Sequence, residues 1–410
     1  MRCVLISQYF PPDMGGSSTR CSNVAKGLKA AGWEVVVVTA MPHYPLGKKP
    51  ALYTWRLWCK ETFEGMRVVR LWLPPLAHDS YLKRLLLHGT FCMMSLLAIP
   101  FALGSKVVFS SSPSFFVVFP AYVYRLALRA VLVRNVDDLW PEVFYDLGLL
   151  KPKLVRYVAD RISSLTYKMP DAIAAISPAY IELIREKYNV PDERMEVIEV
   201  GVDTETFHPV PSRNSNGFVL MYSGILGPFY DFRSLLLAAK KLEELPDLKI
   251  VIRGVGEKEM EIRSLINSLE LKTVRFETQL VEGKKLCSIL SEATAFVVPM
   301  VNLAMSDRGL PAKLFEYQAL GRPIIVASSG ESARFVRDTQ SGIAVPPEDP
   351  MALANAILKL YQNPDLARQM GEAALAYVED HVTISKIGER MSKLFERCLN
   401  RPGKSGGSKL

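Results

Sequence analysis

The stretch that decides the fold reads Gly309-Leu310-Pro311-Ala312-Lys313-Leu314-Phe315-Glu316-Tyr317, followed by Gly321-Arg322-Pro323-Ile324-Ile325. A polar loop around Ser306 and Asp307 leads into a short helix, and a second glycine and proline end that helix before an apolar strand. Proline is tolerated at a helix start because the first N–H groups have no intrahelical partner. These N–H groups and the positive end of the helix dipole favour an anion. Lys313 adds a cation, and Glu316 lies on the same helix face.

The Lys313–Glu316 pair has two interpretations. A cation for a phosphate, beside a carboxylate for sugar hydroxyls, suits a nucleotide sugar. The alternative is an ordinary helix that carries a surface Lys–Glu pair.

Strands alternate with helices along both halves of the chain, which predicts an α/β protein with doubly wound parallel sheets. Clear examples are the predicted helices over residues 18–31, 153–168 and 312–320 and the apolar strand over 34–39. With 410 residues, two domains are the natural prior.

The domain boundaries follow from composition. We place a first domain over residues 1–208, a Pro/Ser/Asn-rich linker over 209–217 and a second domain over 218–382. A C-terminal helix over 383–400 follows, and the Gly/Ser/Lys-rich tail over 401–410 is expected to be unordered.

Positive charge and apolar sequence coincide in one part of the first domain. The net charge is +8, and residues 48–136 hold 12 lysines and arginines against three acidic residues. Within them, residues 85–105 contain no Asp, Glu, Lys or Arg. This segment is long enough for a spanning helix, although Pro100 and His88 weaken that interpretation. It also suits a buried helix, or a helix in the interface of an anionic membrane.

Other partner classes are less favoured. No nucleic-acid-binding motif accompanies the basic residues, so we predict no nucleic-acid partner. The six cysteines form no C-x-x-C pair and no cluster with histidine, which argues against zinc and for a reducing compartment. Because no secretory leader is recognised, we expect a cytoplasmic protein at the cytoplasmic face of a membrane.

Glycine-rich or acidic loops follow several predicted strands, where ligands bind in open α/β sheets. Gly15 and Gly16 follow the first strand, and they allow close approach of the backbone to a ligand, although they also suit a flexible turn. Asp137 and Asp138 end an apolar strand, where they can serve an acceptor hydroxyl or cap a helix. In the second half, Gly224 and the pair Arg253-Gly254 end two further strands.

Together these motifs resemble the family 4 glycosyltransferases of GT-B fold over nearly the whole chain. The resemblance rests on Pro11-Pro12-Asp13-Met14-Gly15-Gly16, Val136-Asp137-Asp138-Leu139-Trp140-Pro141-Glu142, residues 197–209 and the Leu310–Pro323 segment. It is closest to the branch that builds capsules, O-antigens and exopolysaccharides. The resemblance implies two Rossmann-like domains facing a central cleft, and chemistry that needs no metal or cofactor.

The chain departs from the family pattern at two places. The family pairs two glutamates separated by seven residues; Glu316 fits the second, but Arg308 occupies the first position. Basic residues that often follow the glycine at Gly224 are replaced by Ile225 and Tyr230. The resemblance assigns catalytic roles to Asp137, Asp138 and Lys313. It assigns donor binding to Gly15, Gly16, Gly224, Arg253, Gly254, Arg308, Gly309, Leu310, Pro311, Lys313 and Glu316.

The sequence therefore predicts a retaining glycosyltransferase that moves a hexose-type sugar from a nucleotide diphosphate, UDP first among the candidates, to a lipid-linked acceptor. A nucleotide-sugar 2-epimerase or a soluble transferase with a small acceptor is an alternative. A degenerate GT-B subunit that binds without turnover is another, because Arg308 replaces a glutamate.

Overall fold

The structure is a computed structural model that describes residues 1–44, 47, 53, 56–76, 80–111, 115–211 and 217–401. The chain divides into two compact units. The first unit contains residues 1–200 and the chain from Ile384 onward, and the second unit contains Gly201–Thr383. The predicted tail beyond residue 401 and most of the predicted linker, residues 212–216, lie outside the described residues.

The first unit contains an eight-stranded sheet in the order β3-β4-β2-β1-β5-β6-β7-β8. All neighbours pair in parallel except β3, which is antiparallel to β4. Valine-rich β2 is buried along almost its whole length, as expected for a parallel strand covered on both faces. The strands are β1 (Arg2–Ile6), β2 (Glu34–Ala40), β3 (Trp58–Phe63), β4 (Met66–Leu71), β5 (Val107–Ser111), β6 (Val131–Val136), β7 (Ala172–Ala175) and β8 (Met195–Val197).

Helices connect these strands in the first unit. They are α1 (Gly16–Ala30), α2 (Tyr81–Leu96), α3 (Val118–Leu128), α4 (Glu142–Asp146), α5 (Lys153–Lys168) and α6 (Pro178–Tyr188). The long apolar segment over 85–105 does not form one continuous helix, because α2 ends at Leu96 and a short 3-10 turn, Ile99–Ala102, contains Pro100. The described part of the chain contains no helix that is both long and apolar enough to cross a membrane.

The second unit is built on a six-stranded, fully parallel sheet in the order β11-β10-β9-β12-β13-β14. Its strands are β9 (Phe218–Ser223), β10 (Leu248–Arg253), β11 (Val274–Glu277), β12 (Ala295–Pro299), β13 (Ile324–Ala327) and β14 (Gly342–Val345). Its helices are α7 (Phe232–Lys241), α8 (Glu259–Ser268), α9 (Gly283–Leu290), α10 (Ala304–Arg308), α11 (Ala312–Ala319), α12 (Glu331–Asp338), α13 (Pro350–Gln362) and α14 (Pro364–Tyr377). The short helix α10 stands where the sequence analysis predicted a loop.

The last helix, α15 (Ile384–Leu399), belongs to the first unit, where it packs against α1. Gly27 and Gly388 allow the two helix backbones to touch, because a Cβ on Gly388 would lie 2.2 Å from the Gly27 carbonyl. The Trp33 indole donates a hydrogen bond to Ser392 Oγ over 2.9 Å. Its ring meets Phe395 edge to face. These contacts place α15 in the same core as α1.

Both sheets reverse strand order once, between β1 and β5 in the first unit and between β9 and β12 in the second. The carboxyl ends of parallel strands beside such a reversal form the crevice where open α/β sheets bind ligands. Each unit therefore carries its own candidate binding edge.

Candidate functional site

The loop before α11 lies at the carboxyl edge of the second unit's sheet and leaves the start of this helix uncapped. Pro311 occupies the N-cap position in an extended conformation, and no side chain caps this end of the helix. The first amides of α11 therefore keep their hydrogen-bonding capacity for a ligand. Ser332 Oγ donates to the Gly309 carbonyl over 2.9 Å, which ties the loop to α12.

The chain just before this loop is anchored to the end of β13. Asp307 Oδ1 accepts hydrogen bonds from Ser328 Oγ over 3.4 Å and from the Ser329 amide over 3.3 Å. The Asp307 carboxylate thus fixes loop geometry. Arg308 ends α10 and takes part in an interaction of its own.

Lys313 lies in a cage of two tyrosines. Its Nζ atom donates to Tyr222 Oη over 2.7 Å and lies 3.9 and 4.0 Å from the centroids of the Tyr222 and Tyr230 rings. Tyr222 Oη in turn donates to the Ile225 carbonyl over 2.6 Å. Burial lowers the pKa of Lys313 to about 7, against a smaller opposing effect of Glu316. The sequence predicts a cation at this position, and the structure shows that the Lys313 ammonium is fixed by its contacts with the two tyrosines.

Glu316 lies one turn after Lys313 on the partly buried face of α11. Burial raises the pKa of its carboxyl to about 6, and Lys313 partly opposes this shift. The neighbouring Tyr317 fixes the helix: its ring stacks on Phe296 with centroids 3.8 Å apart. Its hydroxyl accepts from the Ser223 amide over 2.9 Å and contacts the Ser223 carbonyl. Helix α11 is therefore attached directly to the end of β9.

Gly224, directly after β9, leaves the space that Lys313 occupies. Its φ is +148°, and a Cβ there would lie 2.7 Å from Lys313 Nζ. Gly254, after β10, also has a φ of +148°, and a Cβ on it would lie 1.8 Å from the Gly224 carbonyl oxygen. The two glycine loops therefore pack on each other at the strand ends.

Arg253 differs from the expectation of a cation available to the donor. Its Nε donates to Glu277 Oε2 over 2.6 Å, and its side chain is almost completely buried. This pairing joins β10 to β11 and compensates the guanidinium charge. Arg253 thus lies at the predicted edge of the sheet, but its guanidinium is paired with Glu277.

In the first unit, Gly15 and Gly16 begin α1 without a side-chain cap. Asp13 positions this loop, because its Oδ1 accepts from the His43 amide over 2.7 Å and from the Tyr44 amide over 2.8 Å. The loop after β1 is thereby tied to the chain that leaves β2. Gly15 has a φ of +115° and is the N-cap residue.

Asp137 ends β6 within a buried polar cluster. Its carboxylate accepts from Asn135 Nδ2 and, over 3.1 Å, from Ser111 Oγ. The Arg20 guanidinium lies 3.9 Å from Asp137 and donates to Asn135 Oδ1. Burial raises the pKa of Asp137 to about 7, although Arg20 opposes the shift and Asp138 adds to it. Burial also raises the pKa of Asp138, to about 6.

Sequence reasoning missed three residues that shape these clusters. Tyr222 and Tyr230 enclose Lys313, and Arg20 stands beside Asp137. The signal for Arg20 was a charged side chain among the otherwise uncharged buried residues of α1. For the tyrosines no local signal exists, because the cage forms only when β9 and α11 come together.

Within the described residues, no three His, Cys, Asp or Glu side chains come together as metal ligands. The six cysteines are free thiols, five of them buried.

Two family models match the chain. The model for the glycosyl transferase 4-like domain matches residues 15–201, and the model for group 1 glycosyl transferases matches residues 203–376. The chain belongs to the family 4 glycosyltransferases. The family assignment confirms the resemblance drawn from the glycine loops and the Leu310–Pro323 segment.

Curated relatives of this glycosyltransferase family match part of the chain. An uncharacterized glycosyltransferase of Methanocaldococcus jannaschii is 24% identical over 61% of the chain and 64% of its own length. An Escherichia coli glycosyltransferase whose name provisionally assigns it to colanic acid biosynthesis is 23% identical over 54% of each protein. The chain spans less than two thirds of the length of either relative.

Solved structures match nearly all of the chain. Sucrose-phosphate synthase from Thermosynechococcus elongatus has a TM-score of 0.75 at 19% identity and covers 97% of this chain and 98% of its own. Anabaena HepE, solved in complex with UDP, has a TM-score of 0.71 at 15% identity, with 97% and 100% covered. The likeness confirms the GT-B fold, with two Rossmann-like domains.

Proposed function

We propose that this protein is a retaining glycosyltransferase that moves a hexose-type sugar from a UDP-sugar to a lipid-linked acceptor in surface polysaccharide assembly. The observation that carries the proposal is the start of α11, where uncapped amides, the Lys313 ammonium and the Glu316 carboxylate share one helix end. Membership of the glycosyltransferase family supports the reaction class.

The second unit would bind the donor through groups of opposite character. The leaving diphosphate gathers negative charge as the glycosidic bond breaks. The first amides of α11, the amides of Gly309 and Leu310 in the preceding loop, and Lys313 would stabilise it. One fixed donor of this kind is typically worth about 3 kcal/mol in a transition state. Glu316 would accept hydrogen bonds from the ribose hydroxyls, each worth about 1.5–3 kcal/mol. These groups replace a metal ion, so we propose chemistry without metal or cofactor.

The choice of uridine rests on analogy. The Anabaena protein of the same fold was solved with UDP and with UDP-glucose. A uracil nucleotide is therefore the first probe for the helix α11 site.

The acceptor side belongs to the first unit. Asp137 and Asp138 lie at the carboxyl end of β6, and a carboxylate whose pKa lies near 7 suits a hydrogen bond to an attacking hydroxyl. A lipid-linked acceptor is supported by the outer row of α2, where Leu82, Leu86 and Met93 are 67%, 53% and 69% exposed. We place the protein at the cytoplasmic face of an anionic membrane.

The donor site is tested by calorimetry with UDP. We expect the wild-type protein to bind UDP and Glu316→Ala to bind it about tenfold or more weakly, as the loss of a charged hydrogen bond predicts. Glu244→Ala removes an exposed glutamate of the same unit and should leave the affinity unchanged. Equal affinities for wild type and Glu316→Ala would refute the site.

Turnover separates the enzyme from a degenerate binding subunit, the alternative favoured by Arg308 in place of the family glutamate. An active enzyme releases UDP from a UDP-sugar when a polyprenyl-linked acceptor is added, and Lys313→Ala abolishes this release. If the protein binds UDP but releases none from any nucleotide sugar, it is a degenerate binding subunit. Release of a 2-epimerised sugar in the absence of an acceptor would indicate an epimerase.

A further inference from the structure

Helix α5 turns its apolar face away from the protein. Leu154, Val158 and Leu165 recur at helical spacing, and they are 74%, 48% and 52% exposed. Val155 lies on the same face and is also exposed. An amphipathic helix of a globular protein normally buries this stripe against the core. The stripe on α5 therefore lacks the cover that its sequence pattern calls for.

The side of α5 that faces the protein carries hydroxyl groups instead. Its buried residues are Ser163, Thr166 and Tyr167. Ser163 Oγ donates to the Trp140 carbonyl over 3.1 Å, and Tyr145 Oη lies 2.9 Å from Asp160 Oδ1. These contacts fix the rotation of the helix, so the apolar stripe is held outward by specific bonds.

Cations flank the exposed stripe. Lys151, Lys153, Arg161 and Lys168 lie on or next to α5, and all four are exposed. The acidic residue of the helix, Asp160, is paired with Lys187 over 2.7 Å. An apolar stripe with a basic border is the pattern of helices that lie in the interface of an anionic bilayer.

A second exposed apolar row lies on α2, another helix of the same unit. Helices α2 and α5 both lie against the short turn Phe115–Val117. His88 of α2 meets the ring of Trp140, whose carbonyl holds α5. The exposed row of Leu82, Leu86 and Met93 thus lies on a helix that shares these contacts with α5.

We propose that the outer face of α5 docks into an anionic lipid bilayer. This inference rests on the proposed function, since it brings the acceptor-binding unit to the surface that holds a lipid-linked acceptor. A second copy of the chain is a poorer occupant, because a symmetric contact would bring the basic borders of both copies together.

The test is co-sedimentation of the full chain with phosphatidylcholine vesicles that contain or lack phosphatidylglycerol. We expect binding to the anionic vesicles, and a loss of about tenfold or more in Leu154→Ser/Val158→Ser, because interfacial binding scales with buried apolar area. The matched control is Met260→Ser/Met351→Ser, which removes two exposed apolar side chains, 82% and 52% exposed, from the second unit. The control should bind vesicles as the wild type does.

A charge variant isolates the electrostatic part. Lys153→Glu/Arg161→Glu should weaken binding to anionic vesicles by about tenfold or more, because each basic residue near the surface contributes about 1 kcal/mol, roughly fivefold in affinity. Raising the salt concentration should weaken vesicle binding by the wild type and reduce the difference in vesicle affinity between the wild type and the charge variant.

Three results would overturn the docking proposal. These are no sedimentation with anionic vesicles, equal binding by the Leu154→Ser/Val158→Ser protein, or a wild-type dimer that this substitution converts to monomer. UDP affinity in vesicle-free solution separates this failure from failure of the proposed function. The affinity for UDP should be unchanged in the α5 variants. UDP binding by a protein that does not bind vesicles would contradict the docking proposal and leave the transferase proposal intact.

Discussion

Tyr222 and Tyr230 decide what Lys313 can do. Their rings and the Tyr222 hydroxyl surround the amine, and the resulting burial brings its pKa to about 7 from the ordinary 10.5. A lysine with this pKa is only partly protonated near neutral pH. An anionic ligand favours the protonated form, so binding of a diphosphate is coupled to proton uptake at this residue.

We predict that affinity for UDP-glucose falls as the pH rises above about 7, because only the protonated amine of Lys313 attracts the diphosphate. UDP-glucose is the probe because its esterified phosphates keep their charge over this range. Calorimetry across pH measures the effect. In Lys313→Arg the guanidinium stays protonated, so the profile should be flat. A flat wild-type profile would contradict the prediction.

Two glycines of the second unit should respond differently to alanine. In Gly224→Ala the new methyl group meets the flexible end of Lys313, so we predict weaker UDP binding with a modest loss of stability, about 1–2 kcal/mol for the backbone conformation. In Gly254→Ala the methyl group meets a carbonyl oxygen that cannot move alone. We predict a loss of about 3 kcal/mol or more in the free energy of unfolding.

Urea unfolding and UDP titration of both variants check this contrast. Comparable stability losses in the two proteins would contradict the predicted contrast. Unchanged UDP affinity in Gly224→Ala would show that Lys313 does not depend on the space beside Gly224.

At the scale of elements, the sequence predicted the helices whose boundaries follow from apolar periodicity and from glycine and proline positions. Helix α5 begins and ends at the predicted residues, 153 and 168, and α11 differs by one residue at its end. The orientation of α5 could not be predicted, because an apolar stripe does not specify what covers it. Strand β3 was missed because its residues WCKETF are half charged or polar, and it lies at the sheet edge.

The candidate site divides in the same way. Glycine loops and acidic pairs at strand ends are local patterns, so Gly15, Gly224 and Asp137 could be nominated from sequence. The pairing of Arg253 with Glu277 depends on the adjacency of β10 and β11. The contact of Arg20 with Asp137 depends on how α1 packs beneath β6. Such neighbours follow from topology, which a single sequence specifies only through the completed fold.

The close approach of α1 and α15 gives a prediction at the element scale. Gly388→Val places side-chain atoms where the Gly27 backbone lies, so we predict a loss of about 1–3 kcal/mol in the free energy of unfolding. The control is Gly89→Ala in α2, where no atom lies within 4 Å of the new methyl group. This substitution should stabilise the protein by about 0.5–1 kcal/mol.

Denaturant unfolding of both variants measures these changes. Unaltered stability in Gly388→Val would mean that the two helices can separate at no cost, contrary to their shared core.

At the scale of the whole molecule, each unit has its own hydrophobic core. We predict two calorimetric unfolding transitions, because each core can be lost separately. UDP should stabilise the second unit and raise its unfolding temperature. Its free energy of unfolding should rise by about 2.7 kcal/mol when the UDP concentration is a hundredfold above Kd. Hydrogen exchange assigns the transitions to residues. Protection by UDP confined to residues 1–200 would place the nucleotide in the wrong unit.

The return of α15 to the first unit also bears on biosynthesis. Ile387, Met391 and Phe395 complete the core around Val24 and Leu28, yet they leave the ribosome after the entire second unit. Until these residues are synthesised, the nascent first unit exposes an apolar groove to which chaperones can bind. Residues 201–383 emerge meanwhile as one uninterrupted segment that can fold. A chain cut short before residue 384 would keep that groove open permanently and should aggregate.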